Sequence, residues 1–169
     1  MKTLVIHPKD ETTDFLSRIY AGYDWTVVNT NMPKHQLKKL IIDHDRIIML
    51  GHGTGNGLIG FERAFIDSNY VYLLREKECV CIWCDANIFV EKYDLKGFYT
   101  GMIISEYYEA LYCSVNTTYQ EIEESNLLFS IAIKEAISKP NILEVVKELY
   151  VCEGLNRTIG YNQENLFTR

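Results

Sequence analysis

The chain has 169 residues, enough to bury a sizeable core, and we expect one domain over residues 1–169. Hydrophobic residues make up 47% and charged residues 24%, a globular composition that excludes long disordered or collagen-like segments. The formal net charge is -6, and the lysine-rich stretch 33–39 is typical of a solvated helix face, so we expect no nucleic-acid partner.

Apolar strand patterns alternate with helical patterns along the chain. Strands are predicted where β-branched and apolar residues run together, at residues 3–7, 24–30, 46–50, 79–83 and 100–105. Apolar residues at helical spacing predict five helices. The first begins after a cap at Asp10, Thr12 or Thr13 and ends at Gly22, and the second begins at Pro33. The others are a short helix near 69–77, a helix over 125–138, and one that Asn141 caps and that runs through Leu149. This alternation indicates an α/β fold with a mostly parallel sheet covered by helices on both faces.

Two reactive residues follow two neighbouring predicted strands. His52, between two glycines, follows the third strand directly, and Cys84 follows the fourth. Because ligands bind at the carboxyl ends of parallel strands, we expect the two side chains at the same edge of the sheet. A thiolate is a competent nucleophile and an imidazole can move its proton, while the Gly53 and Cys84 amides can donate to an oxyanion. The pair predicts a cysteine–histidine hydrolase site that needs no metal or organic cofactor.

These two blocks carry a family resemblance. A hydrophobic strand followed by His-Gly, and then a second hydrophobic strand followed by Cys, resembles the caspase-like cysteine peptidases. Residues 47–53 and 80–84 match the two blocks in the same order, and their close spacing is similar to the bacterial clostripain-like and gingipain-like members. The resemblance covers residues 3 to 115 and implies a caspase-like three-layer sandwich, in which helices flank a mostly parallel central sheet.

The resemblance also implies an activity, cleavage of a peptide or protein substrate, and roles for particular residues. It makes His52 the catalytic histidine, Cys84 the nucleophile, Gly53 an oxyanion donor, and Ser105 and Glu106 the lining of the primary specificity pocket. Asp85 and Glu106 are acidic, so they favour an arginine or lysine in the substrate. Asp85 can instead begin the next turn or orient the site, and Glu106 can equally cap a helix that starts at Tyr107.

Two other functional interpretations stay open. The small size of the chain is compatible with a caspase-like fold that serves as a binding or regulatory module without activity. The glycine-rich segment 51–57 can be a flexible turn or a phosphate-binding loop, although it matches neither common nucleotide-binding pattern.

The remaining cysteines and histidines are expected to be structural. Cys79 and Cys81 share one face of a strand and are expected in the core, since no second Cys/His cluster completes a zinc site. We also expect structural roles for Cys113 and Cys152, and surface or turn positions for His7, His35 and His44.

The sequence shows neither a signal-peptide pattern nor a membrane-spanning pattern, and these two features bear on where in the cell the protein is expected. The N-terminus has no apolar stretch of the length found in signal peptides, and no segment approaches the roughly 18 apolar residues that span a bilayer. We therefore expect a cytoplasmic protein without a membrane partner. Its five cysteines are then reduced thiols, one of which is available as a nucleophile.

Overall fold

The structure is a computed structural model that describes all 169 residues. The strands are β1 Thr3–Ile6, β2 Thr26–Val28, β3 Arg46–Leu50, β4 His52–Thr54, β5 Gly57–Gly60, β6 Arg63–Ile66, β7 Glu78–Ile82, β8 Lys96–Thr100 and β9 Leu166–Thr168. The α-helices are α1 Lys34–Ile42, α2 Val71–Leu74, α3 Ala86–Tyr93, α4 Tyr107–Tyr112, α5 Tyr119–Ala136, α6 Ile142–Leu149 and α7 Arg157–Gln163. Short 3-10 helices cover Asp14–Ile19 and Ser68–Tyr70.

The main sheet has six strands in the order β2-β1-β3-β7-β8-β9. All neighbours are parallel except β8 and β9, which pair antiparallel. The mostly parallel α/β sheet expected from the sequence is therefore confirmed. β3 and β7 are direct neighbours, with Leu50 paired to Ile82, so the segments after them leave the sheet side by side.

The core lies on both faces of this sheet because its central strands are apolar at nearly every position. In β3, Ile47 and Met49 belong to one buried cluster, which also contains residues of α1, α2 and α3. Ile48 and Leu50 belong to a second buried cluster, which contains residues of α5, α6 and α7. A continuous apolar run that is buried on both faces is typical of a parallel sheet between two helical layers.

A second sheet occupies the glycine-rich segment, for which the sequence predicts a turn or loop. β4, β5 and β6 form a three-stranded antiparallel sheet in that order, so β4, which carries His52, is one of its edges. Gly57 permits the tight turn between β4 and β5, because its φ is 131° and a Cβ there would collide with the Ile66 carbonyl. His52 therefore lies on a strand of regular structure and not in a flexible loop.

Two predicted elements are wrong. The strand predicted at 100–105 ends at Thr100, and β8 begins earlier, at Lys96. Ile103 and Ile104 are buried as expected of an apolar run, but Ile104 hydrogen-bonds through its N–H and its carbonyl to the Asn162 side chain, at 2.7 and 2.9 Å, instead of to a neighbouring strand. The helix predicted to end at Gly22 is only a short 3-10 helix, Asp14–Ile19.

Two of the histidines expected at surface or turn positions lie in connecting segments but are buried. His7 is 0% exposed and lies 3.0 Å from the Tyr20 hydroxyl. His44 is 8% exposed and lies 2.6 Å from the Leu40 carbonyl oxygen and 2.9 Å from Thr26 Oγ1. Their polar atoms are satisfied internally, which is why burial of these side chains is tolerated.

The positions expected for His35, Cys79 and Cys81 agree with the structure. His35 is exposed, and Cys79 and Cys81 are buried in the core. None of the helices combines the length and the apolar character needed to cross a membrane.

Candidate functional site

A cleft of about 300 Å³ opens where the segments after β3 and β7 leave the sheet. Its lining consists of His52, Gly53, Cys84, Asp85, Met102, Tyr108, Glu109 and Tyr112. Two walls face each other across it: the histidine wall, residues 10–12 and 52–53, and the helix wall, residues 102–112. The structure thus brings together His52, Gly53, Cys84 and Asp85, as the sequence predicts.

The histidine wall fixes the orientation of the His52 ring. Nε2 lies 2.6 Å from Thr12 Oγ1 and 3.4 Å from Asp10 Oδ2. The Thr12 hydroxyl donates its only proton to Asp10 Oδ1 at 2.7 Å, so toward His52 it can act only as an acceptor. Nε2 of a neutral His52 must then carry the proton, which leaves the lone pair on Nδ1. This is the tautomer and the oriented ring that a general base requires.

Asp10 is held in this position by the turn that it begins. Its Oδ1 accepts hydrogen bonds from the backbone N–H groups of Thr12 and Thr13, at 2.9 and 3.2 Å. Burial alone would raise the pKa of Asp10, but these hydrogen bonds and the nearby His52 outweigh it, and the pKa lies below its usual value. Asp10 is therefore an ionised partner for His52.

Cys84 is half-buried, and its thiol contacts the helix wall. Sγ lies 3.6 Å from the Ile103 carbonyl oxygen and 3.6 Å from Glu109 Oε1, both as a donor. Burial, followed by the charge of Glu109, raises the pKa of the Cys84 thiol to about 12. The thiol is therefore protonated in this arrangement.

Glu109 is the most buried charged residue of the cleft, with 2% of its surface exposed. Its Oε2 accepts hydrogen bonds from the Ser105 N–H at 2.7 Å, from the Ser105 hydroxyl at 3.1 Å and from the Glu106 N–H at 2.9 Å. Its Oε1 accepts only from the Cys84 thiol. No lysine or arginine forms an ion pair with Glu109, although buried carboxylates usually have such a partner.

Glu106 precedes α4, which begins at Tyr107 as its capping alternative anticipates. Burial, followed by the charge of Glu109, raises the pKa of the Glu106 carboxyl. One ligand atom each from His52, Glu106 and Glu109 lie within 4.8 Å of one another, close enough to share one cation. Oε2 of Glu109 already accepts three hydrogen bonds, so Oε1 is the atom of Glu109 that a cation would contact.

Asp85 turns the chain sharply after Cys84. Its φ and ψ are 63° and 27°, the left-handed region that is uncommon for a residue with a side chain. Its N–H donates to the Gly101 carbonyl, and α3 begins at the next residue, Ala86. This turn keeps Cys84 at the end of the sheet, where its thiol reaches the cleft.

Gly53 must be a glycine for steric reasons. A Cβ at this position would collide with the ring of the buried Trp83, whose Nε1 donates to the Thr54 carbonyl at 3.0 Å. The backbone of β4 thereby approaches the residue that precedes Cys84. The role of Gly53 as an oxyanion donor stays a prediction.

The remaining lining residues, Met102, Tyr108 and Tyr112, belong to the helix wall. The two tyrosines are 61% and 81% exposed. Ser105 and Glu106, both expected in the pocket lining, are not among the residues that line this cleft; the Ser105 hydroxyl instead donates to Glu109 at 3.1 Å.

Three residues of the site are not identified by the sequence patterns. Asp10 and Thr12 fit those patterns only as helix caps, and no spacing connects them to a histidine in β4. Glu109 has only a partial signal: it follows Glu106 at the spacing of a capping box, in which Ser or Thr usually holds the first position, and the Glu109 side chain does accept from the Glu106 N–H.

Comparison of the chain with protein-family profiles, with curated proteins and with solved structures gave no match.

Proposed function

We propose that this protein is a cysteine endopeptidase that cleaves a peptide or protein substrate after an arginine or lysine. Cys84 is the nucleophile, His52 moves the protons, and Asp10 with Thr12 orients His52. The observation that carries the proposal is the convergence of His52 and Cys84 on one cleft, with the base nitrogen of His52 left free by its partners on Nε2.

The chemical steps use only groups that belong to the chain. The Cys84 proton passes to Nδ1 of His52, and the thiolate attacks the substrate carbonyl carbon to form a C–S bond. The oxyanion accepts hydrogen bonds from the amides of Gly53 and Cys84. His52 then returns the proton to the leaving amine as the C–N bond breaks. His52 then deprotonates a water, which attacks the thioester carbonyl to form a C–O bond. The C–S bond breaks, the product is released with a new carboxyl group, and His52 returns the proton to the Cys84 thiolate.

The charge of the cleft supports a basic substrate side chain. Asp85 and Glu109 line the cleft, Glu106 lies beside it, and no lysine or arginine is among the lining residues. A guanidinium or ammonium group is the natural partner for carboxylates that lack one.

The finer fold assignment is part of the same proposal. Two features support a caspase-like sandwich similar to the bacterial members of that group. One is the mostly parallel sheet between two helical layers. The other is the position of the histidine after one central strand and of the cysteine after the neighbouring strand. The proposal includes a cytoplasmic location and no requirement for a metal or organic cofactor.

The test is cleavage of a fluorogenic peptide library that varies the residue before the scissile bond. We expect cleavage after arginine or lysine by the wild type, and none by Cys84→Ala or His52→Ala. Cys113→Ala is the matched control, because Cys113 is a half-buried thiol outside the cleft. Full activity of Cys84→Ala would overturn the proposal.

An inactive binding module is the second candidate function. The observation that favours it is the contact of the Cys84 thiol with Glu109, because a neighbouring carboxylate opposes formation of a thiolate. An active wild-type protein in the peptide assay excludes this candidate. Binding of an arginine peptide without cleavage supports it.

A further inference from the structure

Glu109 opposes the loss of the Cys84 proton that the proposed mechanism requires. Only 2% of its surface is exposed, it has no cationic partner, and it directs Oε1 at the thiol that must ionise. Removing the thiol proton in this arrangement places two negative charges within 3.6 Å of each other. Such a pair is unfavourable in a partly desolvated cleft.

The other groups around Cys84 do not relieve this repulsion. Asp85 follows it in the chain and is acidic. Tyr108 of α4 and Tyr161 of α7 also face Cys84, and both are neutral phenols whose pKa is raised by burial. On the opposite side of the cleft, His52 can accept the proton, but it is only one positive charge against several carboxylates. The positive charge that the site lacks must therefore come from outside the chain.

We propose that Glu109 couples recognition of a basic substrate side chain to activation of the nucleophile: the substrate cation pairs with Oε1, releases the Cys84 thiol from it, and so allows the thiol proton to pass to Nδ1 of His52. This inference rests on the proposed function, since it uses the same cysteine, histidine and substrate class. Glu109 is thereby assigned as a specificity-determining residue that also controls the nucleophile.

The hydrogen bonding of Glu109 supports this division of roles between its two oxygens. Oε2 is anchored by the Ser105 N–H, the Ser105 hydroxyl and the Glu106 N–H, so the carboxylate cannot rotate away without losing three hydrogen bonds. Oε1 has only the weak thiol donor, which a guanidinium or ammonium replaces with a stronger, charge-assisted bond. The Glu106 carboxylate is close enough to contact the same cation.

A neutral side chain of the same shape does not produce this effect. It fills the cleft without neutralising Glu109, so the thiol stays protonated and the bond next to it is not attacked. Selectivity for a basic residue then arises in the step that forms the thiolate as well as in binding.

The experiment measures the rate at which iodoacetamide alkylates Cys84, by mass spectrometry of its peptide, from pH 5 to 10. The wild-type protein is titrated with N-acetyl-arginine amide or with N-acetyl-citrulline amide, a neutral isostere. We expect the arginine amide to accelerate alkylation about tenfold at neutral pH, which corresponds to about one unit in the thiol pKa. We expect no acceleration from the citrulline amide. Equal effects of the two amides, or none from either, would overturn the proposal.

Three variants locate the effect. Glu109→Gln is expected to alkylate faster than wild type without any ligand and to lose the response to the arginine amide. Glu106→Gln is expected to keep the fast response at higher ligand concentration. Glu135→Gln, an exposed position on α5, is the control and behaves as wild type. An unchanged response in Glu109→Gln would exclude Glu109 as the cation partner, and if this variant does not fold, the arginine–citrulline comparison in the wild type still decides.

The failure of this inference and the failure of the proposed function give different results. Peptide cleavage that requires Cys84, without any effect of the arginine amide on alkylation, leaves the peptidase in place and removes the coupling. A cation effect on alkylation without cleavage of any peptide keeps the coupling as a sensor and removes the peptidase.

Discussion

The two walls of the cleft each place a carboxylate beside a reactive side chain, with opposite consequences. In the histidine wall, Asp10 is about half exposed and supports protonation at His52 Nε2. In the helix wall, Glu109 is buried and opposes loss of the proton from Cys84. The same functional group thus favours one tautomer of His52 on one side and keeps the proton on the Cys84 thiol on the other.

The difference between the walls lies in the surroundings of each carboxylate. Asp10 belongs to an exposed turn, and solvent screens its charge. Glu109 is enclosed by the first turn of α4, so its charge acts on Cys84 with little screening. In the proposed mechanism, His52 is therefore already oriented, whereas Cys84 stays protonated until a substrate cation binds Glu109.

Acidification is expected to destabilise the fold through His7, which lies shortly before the histidine wall in the chain. Burial lowers the pKa of His7 from 6.5 to about 4, and His7 lies in the segment between β1 and Asp10. The His7 side chain binds a proton near pH 6.5 in the unfolded chain but only near pH 4 in the folded chain. The free energy of unfolding therefore falls as the pH falls from 6.5 to 4. The loss is at most about 3 kcal/mol.

Urea unfolding at several values between pH 7.5 and 4 measures this effect. We expect His7→Gln to lose the slope in that window, whereas His35→Gln, at an exposed position, keeps it. Identical slopes in the wild type and in His7→Gln would show that His7 does not couple stability to pH.

Asp10→Asn tests whether the histidine wall orients the base. An amide can present its NH₂ group to Nε2 and favour the wrong tautomer, so we expect kcat/KM for an arginine peptide to fall about 100-fold, or about 2.7 kcal/mol. Asp14→Asn is the matched control, because Asp14 is an exposed carboxylate that pairs with Lys9 and not with His52. A loss of the same size in both variants would contradict an orienting role for Asp10.

Tyr112→Ala probes the outer part of the helix wall and has the smallest expected effect. Tyr112 is 81% exposed, so the free energy of unfolding should change by less than about 0.5 kcal/mol. Loss of its contact with the substrate should raise KM about threefold with little change in kcat. Leu111→Ala, an exposed neighbour on α4 that does not line the cleft, should leave both constants unchanged. A change in kcat without a change in KM would be inconsistent with a simple binding contact.

The position of the two reactive residues could be predicted because the central strands are unambiguous. Residues 47–50 form a short, continuous apolar run after Arg46, and β3 covers the predicted range 46–50. β7 lies within one residue of its predicted bounds, and it is parallel to β3. Two neighbouring parallel strands end at the same edge of the sheet, so the residues just beyond them, His52 and Cys84, meet in one cleft without further information.

The error at 100–105 has a physical cause that local sequence does not contain. Ile103 and Ile104 resemble a strand because they are β-branched and buried. The backbone partner of Ile104 is the amide of Asn162, 58 residues later, and this side chain replaces the strand that the pattern requires. Such long-range contacts between a side chain and the backbone leave no periodic signal.

Local sequence patterns are equally unable to reveal the long-range contacts of the candidate functional site. Asp10 is recognisable as a capping residue, and its side chain does hold the turn at Thr12 and Thr13. Its second role, at His52, depends on how the turn after β1 lies against β4, which no local pattern encodes. Glu109 is detectable, but only as a helix cap, because its contact with Cys84 depends on the path of residues 101–106.

The link between Asn162 and Ile104 also sets an order of events during synthesis. Every residue that lines the cleft lies before Cys113 in the chain, yet the segment that leads into α4 is held by a side chain of α7. A ribosome-bound chain that has not yet released α7 has both reactive residues but no anchored helix wall. The nascent protein is therefore expected to lack a complete site until α7 has left the ribosome.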